Sequence, residues 1–277
     1  MQRRLRNSQG RQSAWILLLR SRSISKMPNV YKNLLVLVLA IIAIHLTYIG
    51  FIRPQAELAI ETARQAGQSA PRDLFVILKD VEQEICLILM IWGTFLIADK
   101  CIHILKERYL FDIDLLESSA ADKSGLTTSL EEMEKLPERV KKSPLVQTLM
   151  ASLRRYLITN DVQNTSDAIT ASVEALGVRL EAENSMVRYL IWAIPSIGFI
   201  GTVRGIGQAL SQADKALAGD IAGMTDSLGV AFNSTFVALV ISIGLMFLLH
   251  QLQRLQDGLL VDTQEYCDKF LLNRISS

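Results

Sequence analysis

The chain has 277 residues, 50% of them hydrophobic, with 29 Lys and Arg against 28 Asp and Glu and a formal net charge of +1. So even a balance points to no polyanionic partner, and nucleic-acid binding is not expected. The three cysteines, Cys86, Cys101 and Cys267, form no CxxC pair, which excludes a disulfide framework and a zinc ribbon and leaves them as small apolar packing residues.

The apolar residues are gathered into long blocks, and a block of about 20 is what a membrane helix needs. Before the first block, residues 1–32 hold Arg3, Arg4, Arg6, Arg11, Arg20, Arg22, Lys26 and Lys32 and no acid. This basic segment is expected to be cytoplasmic. Its short apolar run, Ala14 to Leu19, is shorter than the core of a usual signal peptide, and Met27 is an alternative start.

Four blocks follow in order. The first is Asn33 to Ile52 and the second Ile85 to Leu105, which together form a first hairpin over 33–105 around an external loop, 53–84. The third is Tyr189 to Leu210 and the fourth Leu228 to Leu249, a second hairpin within 189–250. The lysine and arginine bias puts both termini inside, the 53–84 and 211–227 loops outside, and 106–188 inside. No block has a central carboxylate; Asp99, beside Lys100, falls at the inner end of the second.

The 106–188 segment reads as helical. Leu145, Leu149, Leu153 and Leu157 recur at helix spacing, as do Ile169, Val173, Leu176 and Leu180 after a cap-like Asn164-Thr165-Ser166-Asp167 cluster. The second of these helices is expected to run into the third span with no breaker except Gly177. The stretch between Pro137 and Pro144 reads as a solvated turn. Leu252, Leu255, Leu259 and Phe270 extend the fourth span into a C-terminal helix over 251–277. The fold class is therefore an all-α integral membrane protein with four transmembrane helices, the third and fourth extended into a cytoplasmic helical domain.

The third block reads Pro195-Ser196-Ile197-Gly198-Phe199-Ile200-Gly201-Thr202-Val203-Arg204-Gly205-Ile206. Gly198, Gly201, Thr202 and Gly205 share one face. On the fourth block Ser227, Ala231, Ser234, Thr235, Ala238 and Ser242 do the same. Small residues let membrane helices approach closely, and hydroxyls bond across such contacts. Thr202 and Thr235 each lie about eight residues from the outer end, about 12 Å deep at 1.5 Å per residue. A glycine-rich phosphate loop at 201–207 is excluded, because no Gly-Lys-Ser/Thr follows it.

The third block resembles the signature P-x-x-G-[LF]-[LF]-G-T-V-x-G-I of the MotA/TolQ/ExbB proton channel family, and the fourth is similar to that family's next helix. The resemblance implies a bacterial inner-membrane scaffold subunit that assembles as a homo-oligomer, typically a pentamer. The ring surrounds a dimeric ExbD/TolR/MotB-like partner with a single span and a membrane aspartate. It implies Thr202, Thr235, Ser234, Ala231 and Ala238 along the ion path, and Pro195, Gly198, Gly201 and Gly205 in helix packing. Ion flow, of protons in the first instance, would then do mechanical work through the partner. A non-conducting anchor with the same fold is the alternative.

Four spans with both ends inside are similar to MotA, whereas ExbB and TolQ typically have three. The chain departs from the ExbB-type pattern in Val230, where many such proteins carry a glutamate, in Asn233, and in Arg204, where tryptophan is common. Arg204 is expected near the outer surface, either repelling or steering cations or pairing with Asp214, Asp220 or Asp226. No nucleophile–base set points to an enzyme, and His45, His103 and His250 lack metal-ligand spacing, so neither a catalytic group, a metal nor a cofactor is expected.

Overall fold

The structure is a computed structural model, and it describes residues 29–66, 71, 73–116 and 123–276. The basic run up to Lys26, Ala14 to Leu19 and Met27 lie outside the described residues. Those residues are helical, with no strand among them: α1 (Asn29–Thr47), a π-helical turn (Tyr48–Ile52), α2 (Arg53–Gln65), α3 (Leu74–Leu78), α4 (Val81–Glu107), a 3-10 turn (Arg108–Asp112), α5 (Lys123–Glu134), α6 (Glu138–Lys141), α7 (Pro144–Thr159), α8 (Val162–Glu183), α9 (Ser185–Leu210), α10 (Ala213–Leu217), α11 (Ala222–Cys267), a second π-helical turn (Asp268–Leu272) and α12 (Asn273–Ser276).

Four helical stretches are long and apolar enough to cross a membrane: Val30–Gln65, Val81–Asp112, Val162–Leu210 and Ala222–Ser276. The first has 36 residues. At 1.5 Å per residue it is about 54 Å long, well beyond the ~30 Å hydrocarbon layer. Large apolar side chains such as Leu35, Ile42, Phe199 and Phe236 are exposed along these stretches, the opposite of a soluble helix.

The described residues divide into two compact units. One comprises residues 30–102 and 181–255 and holds the apolar helices; the other comprises 103–180 and 256–276. In the second unit, Leu145, Val146, Leu149 and Leu153 of α7 and Ile169 and Val173 of α8 join Leu126, Met133, Tyr266, Cys267 and Leu271 in one core. Three local features there differ from the sequence expectation. The cap of α8 is Asp161, whose Oδ1 accepts from the Gln163 N–H at 2.8 Å, upstream of the Asn164–Asp167 cluster. The chain between the prolines is a one-turn helix, α6, whose Val140 is drawn into the core. Gly177, the one expected breaker, lies inside α8 without breaking it, and α8 continues through Asn184 into α9 as the helical stretch Val162–Leu210.

This unit also clasps the segment that follows α4. The Tyr266 hydroxyl accepts from the Leu115 N–H (2.8 Å) and donates to the Ile113 carbonyl (2.7 Å). Arg274 donates to the Leu116 carbonyl and pairs with Asp114 at 3.1 Å. Burial pushes the Tyr266 hydroxyl up to about 12, because the phenolate would lose its hydration.

In the other unit α1 is held to α4 by charge at two levels. Lys32 pairs with Asp99, and Glu84 takes both His45 Nδ1 (2.6 Å) and Arg53 (2.8 Å). The π-helical turn explains the second contact. Eight residues of regular α-helix would place His45 and Arg53 about 80° apart around the axis; the extra residue of a π-turn brings them within about 20°. Both then reach one carboxylate.

Candidate functional site

The site is the contact between α9 and α11. Both helices are apolar, but the stripe where they meet is built of small residues, so the backbones come close. A Cβ added at Gly201 would stand 2.5 Å from both Cβ and Oγ of Ser234, and one at Gly205 would stand 2.6 Å from the Ala231 nitrogen. Only glycine fits at such distances. Gly198, in the same row, packs on Ala238.

Pro195 lies inside α9, where its missing N–H leaves the Ile191 carbonyl without its helical donor. Ser242 of α11 supplies one: its hydroxyl donates to the Ile191 carbonyl at 2.9 Å. A proline in a membrane helix is tolerated when a neighbour satisfies the freed carbonyl in this way.

Thr202 and Thr235 meet across the contact, hydroxyl to hydroxyl. The Thr202 hydroxyl also lies 3.0 Å from the Ala231 carbonyl, and that of Thr235 lies 3.2 Å from the Gly198 carbonyl. Two hydroxyl protons are thus shared among two carbonyls and the two oxygens themselves. Both threonines are half-buried, whereas Ser234, Ala231 and Ala238 are buried at 1%, 1% and 0% exposure, beneath them in the helix contact. Pro195 is half-buried; Gly198, Gly201 and Gly205 are buried.

Arg204 takes a partner that the sequence did not suggest. Its Nε and a terminal nitrogen each donate to Glu82 at 2.7 Å, and Asp80 lies 3.6 Å away. The α4 helix begins at Val81, earlier than the apolar block, so Glu82, Gln83 and Glu84 fall in its first turn and are buried. Acids are favoured at a helix N-terminus by the backbone dipole, and that signal was present in the sequence. The Glu82 stem packs on Gly201, and Gln83 Nε2 donates to Ser234 Oγ at 3.4 Å. No cluster of metal-ligating side chains occurs among the described residues.

The model of the MotA/TolQ/ExbB proton channel family matches residues 140–265. No curated protein and no solved structure matches the chain. The matched range contains the whole of the Gly198–Thr202 and Ala231–Ala238 contact just described. This is a multi-pass membrane protein whose residues 140–265 are similar to the MotA/TolQ/ExbB proton channel family.

Proposed function

We propose that the chain is the scaffold subunit of a proton-driven membrane motor, residing in a bacterial inner membrane with both termini in the cytoplasm. Copies of it form a ring, a pentamer by family resemblance, around a dimeric single-span partner that carries a membrane aspartate. The ring offers that carboxylate the paired hydroxyls of Thr202 and Thr235, backed by Ala231, Ser234 and Ala238. Ion passage then turns one component against the other, and the partner transmits the work.

The observation that carries this reading is the half-buried hydroxyl pair at the waist of the family hairpin. A helix contact made for packing alone needs only the small residues; the two hydroxyls add groups that exchange protons. The buried carboxylates of α4 support it from the other side. Glu82 is held by Arg204 and Glu84 by Arg53, so the mobile proton carrier has to come from another chain.

The test is Thr202→Val and Thr235→Val, which preserve shape and remove the hydroxyls. The complex with its single-span partner is reconstituted in vesicles loaded with a pH dye. Each variant is expected to lower proton flux at least tenfold while the ring assembles normally. Unchanged flux in both, or absence of flux in the parent complex, would instead support the non-conducting anchor.

A further inference from the structure

Residues 80–84, at the start of α4, form a polar node that touches every other long helix of its unit. Glu84 holds His45 of α1 and Arg53 of α2, Glu82 and Asp80 hold Arg204 of α9, and Gln83 reaches Ser234 of α11. Three buried oxygens there have no hydrogen-bond partner: the Tyr48 hydroxyl, Asp80 Oδ2 and Gln83 Oε1. Tyr48 and Gln83 are both 0% exposed. Tyr48 follows His45 by three residues, which puts the two on neighbouring positions of one helix face. Tyr48 also opens the π-helical turn, a backbone irregularity.

Buried polar atoms in native proteins are almost always paired, so these three orphans call for partners. The ion pairs choose the class of those partners. Asp80, Glu82 and Glu84 face Arg53, Arg204 and Lys79, which lies 3.6 Å from Asp80, so each carboxylate already meets a fixed cation. A metal cation would add unpaired charge in a poorly solvated place. A neutral molecule that both accepts and donates adds none. It would accept from the Tyr48 O–H and donate to Asp80 Oδ2, with Gln83 Oε1 as an acceptor for a second. We propose that the node is an internal water site, joined through Gln83 to Ser234 and so to the shoulder of the threonine pair. Buried waters satisfy stranded polar groups of this kind.

Radiolytic hydroxyl-radical footprinting of the full chain in lipid nanodiscs tests it, because water held beside a side chain labels it even where bulk solvent is excluded. After correction for intrinsic reactivity, Tyr48 is expected to label well above Leu190 and Ile194, which are 1% and 0% exposed and bury only apolar side chains. Equal protection of the three overturns the proposal. Tyr48→Phe gives a second, independent sign. If the hydroxyl bonds water, its loss strands that water and lowers the melting temperature; if the hydroxyl is unpaired, its loss leaves the melting temperature unchanged or raises it, which also overturns the proposal. Neither measurement depends on the Thr202 and Thr235 assays.

Discussion

Ser242 stands in for the amide hydrogen that Pro195 lacks: its hydroxyl donates at 2.9 Å to the Ile191 carbonyl, the acceptor four residues before the proline. The proline and the serine therefore act as one unit spread over two helices. Ser242→Ala is expected to cost about 1–3 kcal/mol, the penalty for stranding a buried acceptor. Adding Pro195→Ala restores the helical donor, so the double variant should recover most of that loss. Denaturant titration of the four forms of the cycle in detergent reads the coupling.

The Glu82 and Arg204 side chains form a second such unit, through two hydrogen bonds of 2.7 Å. Glu82→Gln leaves the guanidinium without its main counter-charge. Arg204→Gln leaves a buried carboxylate, and is expected to be the worse of the two, at about 3 kcal/mol. Glu82→Gln with Arg204→Gln should be milder than Arg204→Gln alone. Thermal melting of the four forms checks the order; a double variant worse than both singles would contradict it.

Gly201 is one of the close points between α9 and α11. A Cβ there would lie 2.5 Å from Ser234 and 3.1 Å from the Glu82 Cγ. Gly201→Ala is expected to destabilise by about 1–3 kcal/mol through overpacking, and Gly201→Val by more. Gly207, where an added Cβ meets nothing within 4 Å, is the control, and Gly207→Ala should be neutral or slightly stabilising. Melting temperatures in one detergent give the comparison.

In the unit of residues 103–180 and 256–276, Tyr266→Phe removes both contacts to the segment after α4 and should cost about 1–3 kcal/mol at pH 7. The pH dependence has a definite sign. Burial raises the folded-state pKa from 10.0 to about 12, so the stability that the neutral hydroxyl contributes is fully present below pH 10 and is lost as pH rises toward 12. The gap between parent and Phe variant should narrow over that window in alkaline unfolding curves. A constant gap from pH 8 to 12 would show that burial does not hold the phenol neutral.

Leu149 and Ile169 are buried in the core of the same unit, at 0% and 1% exposure. Leu149→Ala is expected to cost about 2–5 kcal/mol through the cavity it leaves, measured by chemical denaturation of the full chain.

Much of this was legible in the sequence, because hydropathy and small-residue spacing are properties of single helices. The four apolar blocks had to become membrane-length helices, since a backbone in lipid has to satisfy its own hydrogen bonds. The Gly198, Gly201 and Gly205 row and the Ala231, Ser234 and Ala238 row had to face a close neighbour, because the 3.6-residue period puts each row on one face. The motif around Thr202 carried the family. Boundaries were less legible. The second block was placed at Ile85 by its apolar content, which left Glu82, Gln83 and Glu84 in a loop, so the acids offered to Arg204 were Asp214, Asp220 and Asp226 and not Glu82.

Only the tertiary structure paired Glu82 with Arg204, Glu84 with His45 and Arg53, and Ser242 with Ile191. Each joins different helices, and their partners are set by how the helices rotate and slide against one another. A hydropathy pattern leaves that rotation open to within a face; a carboxylate in a poorly solvated place does not, because its charge has to meet a counter-charge at hydrogen-bond distance. The sequence by itself determined which segments are helices and which faces are small, since both follow from local period and solvent preference. Which polar atoms meet was decided by the packed helices alone, because contact at a few ångströms depends on all of them at once.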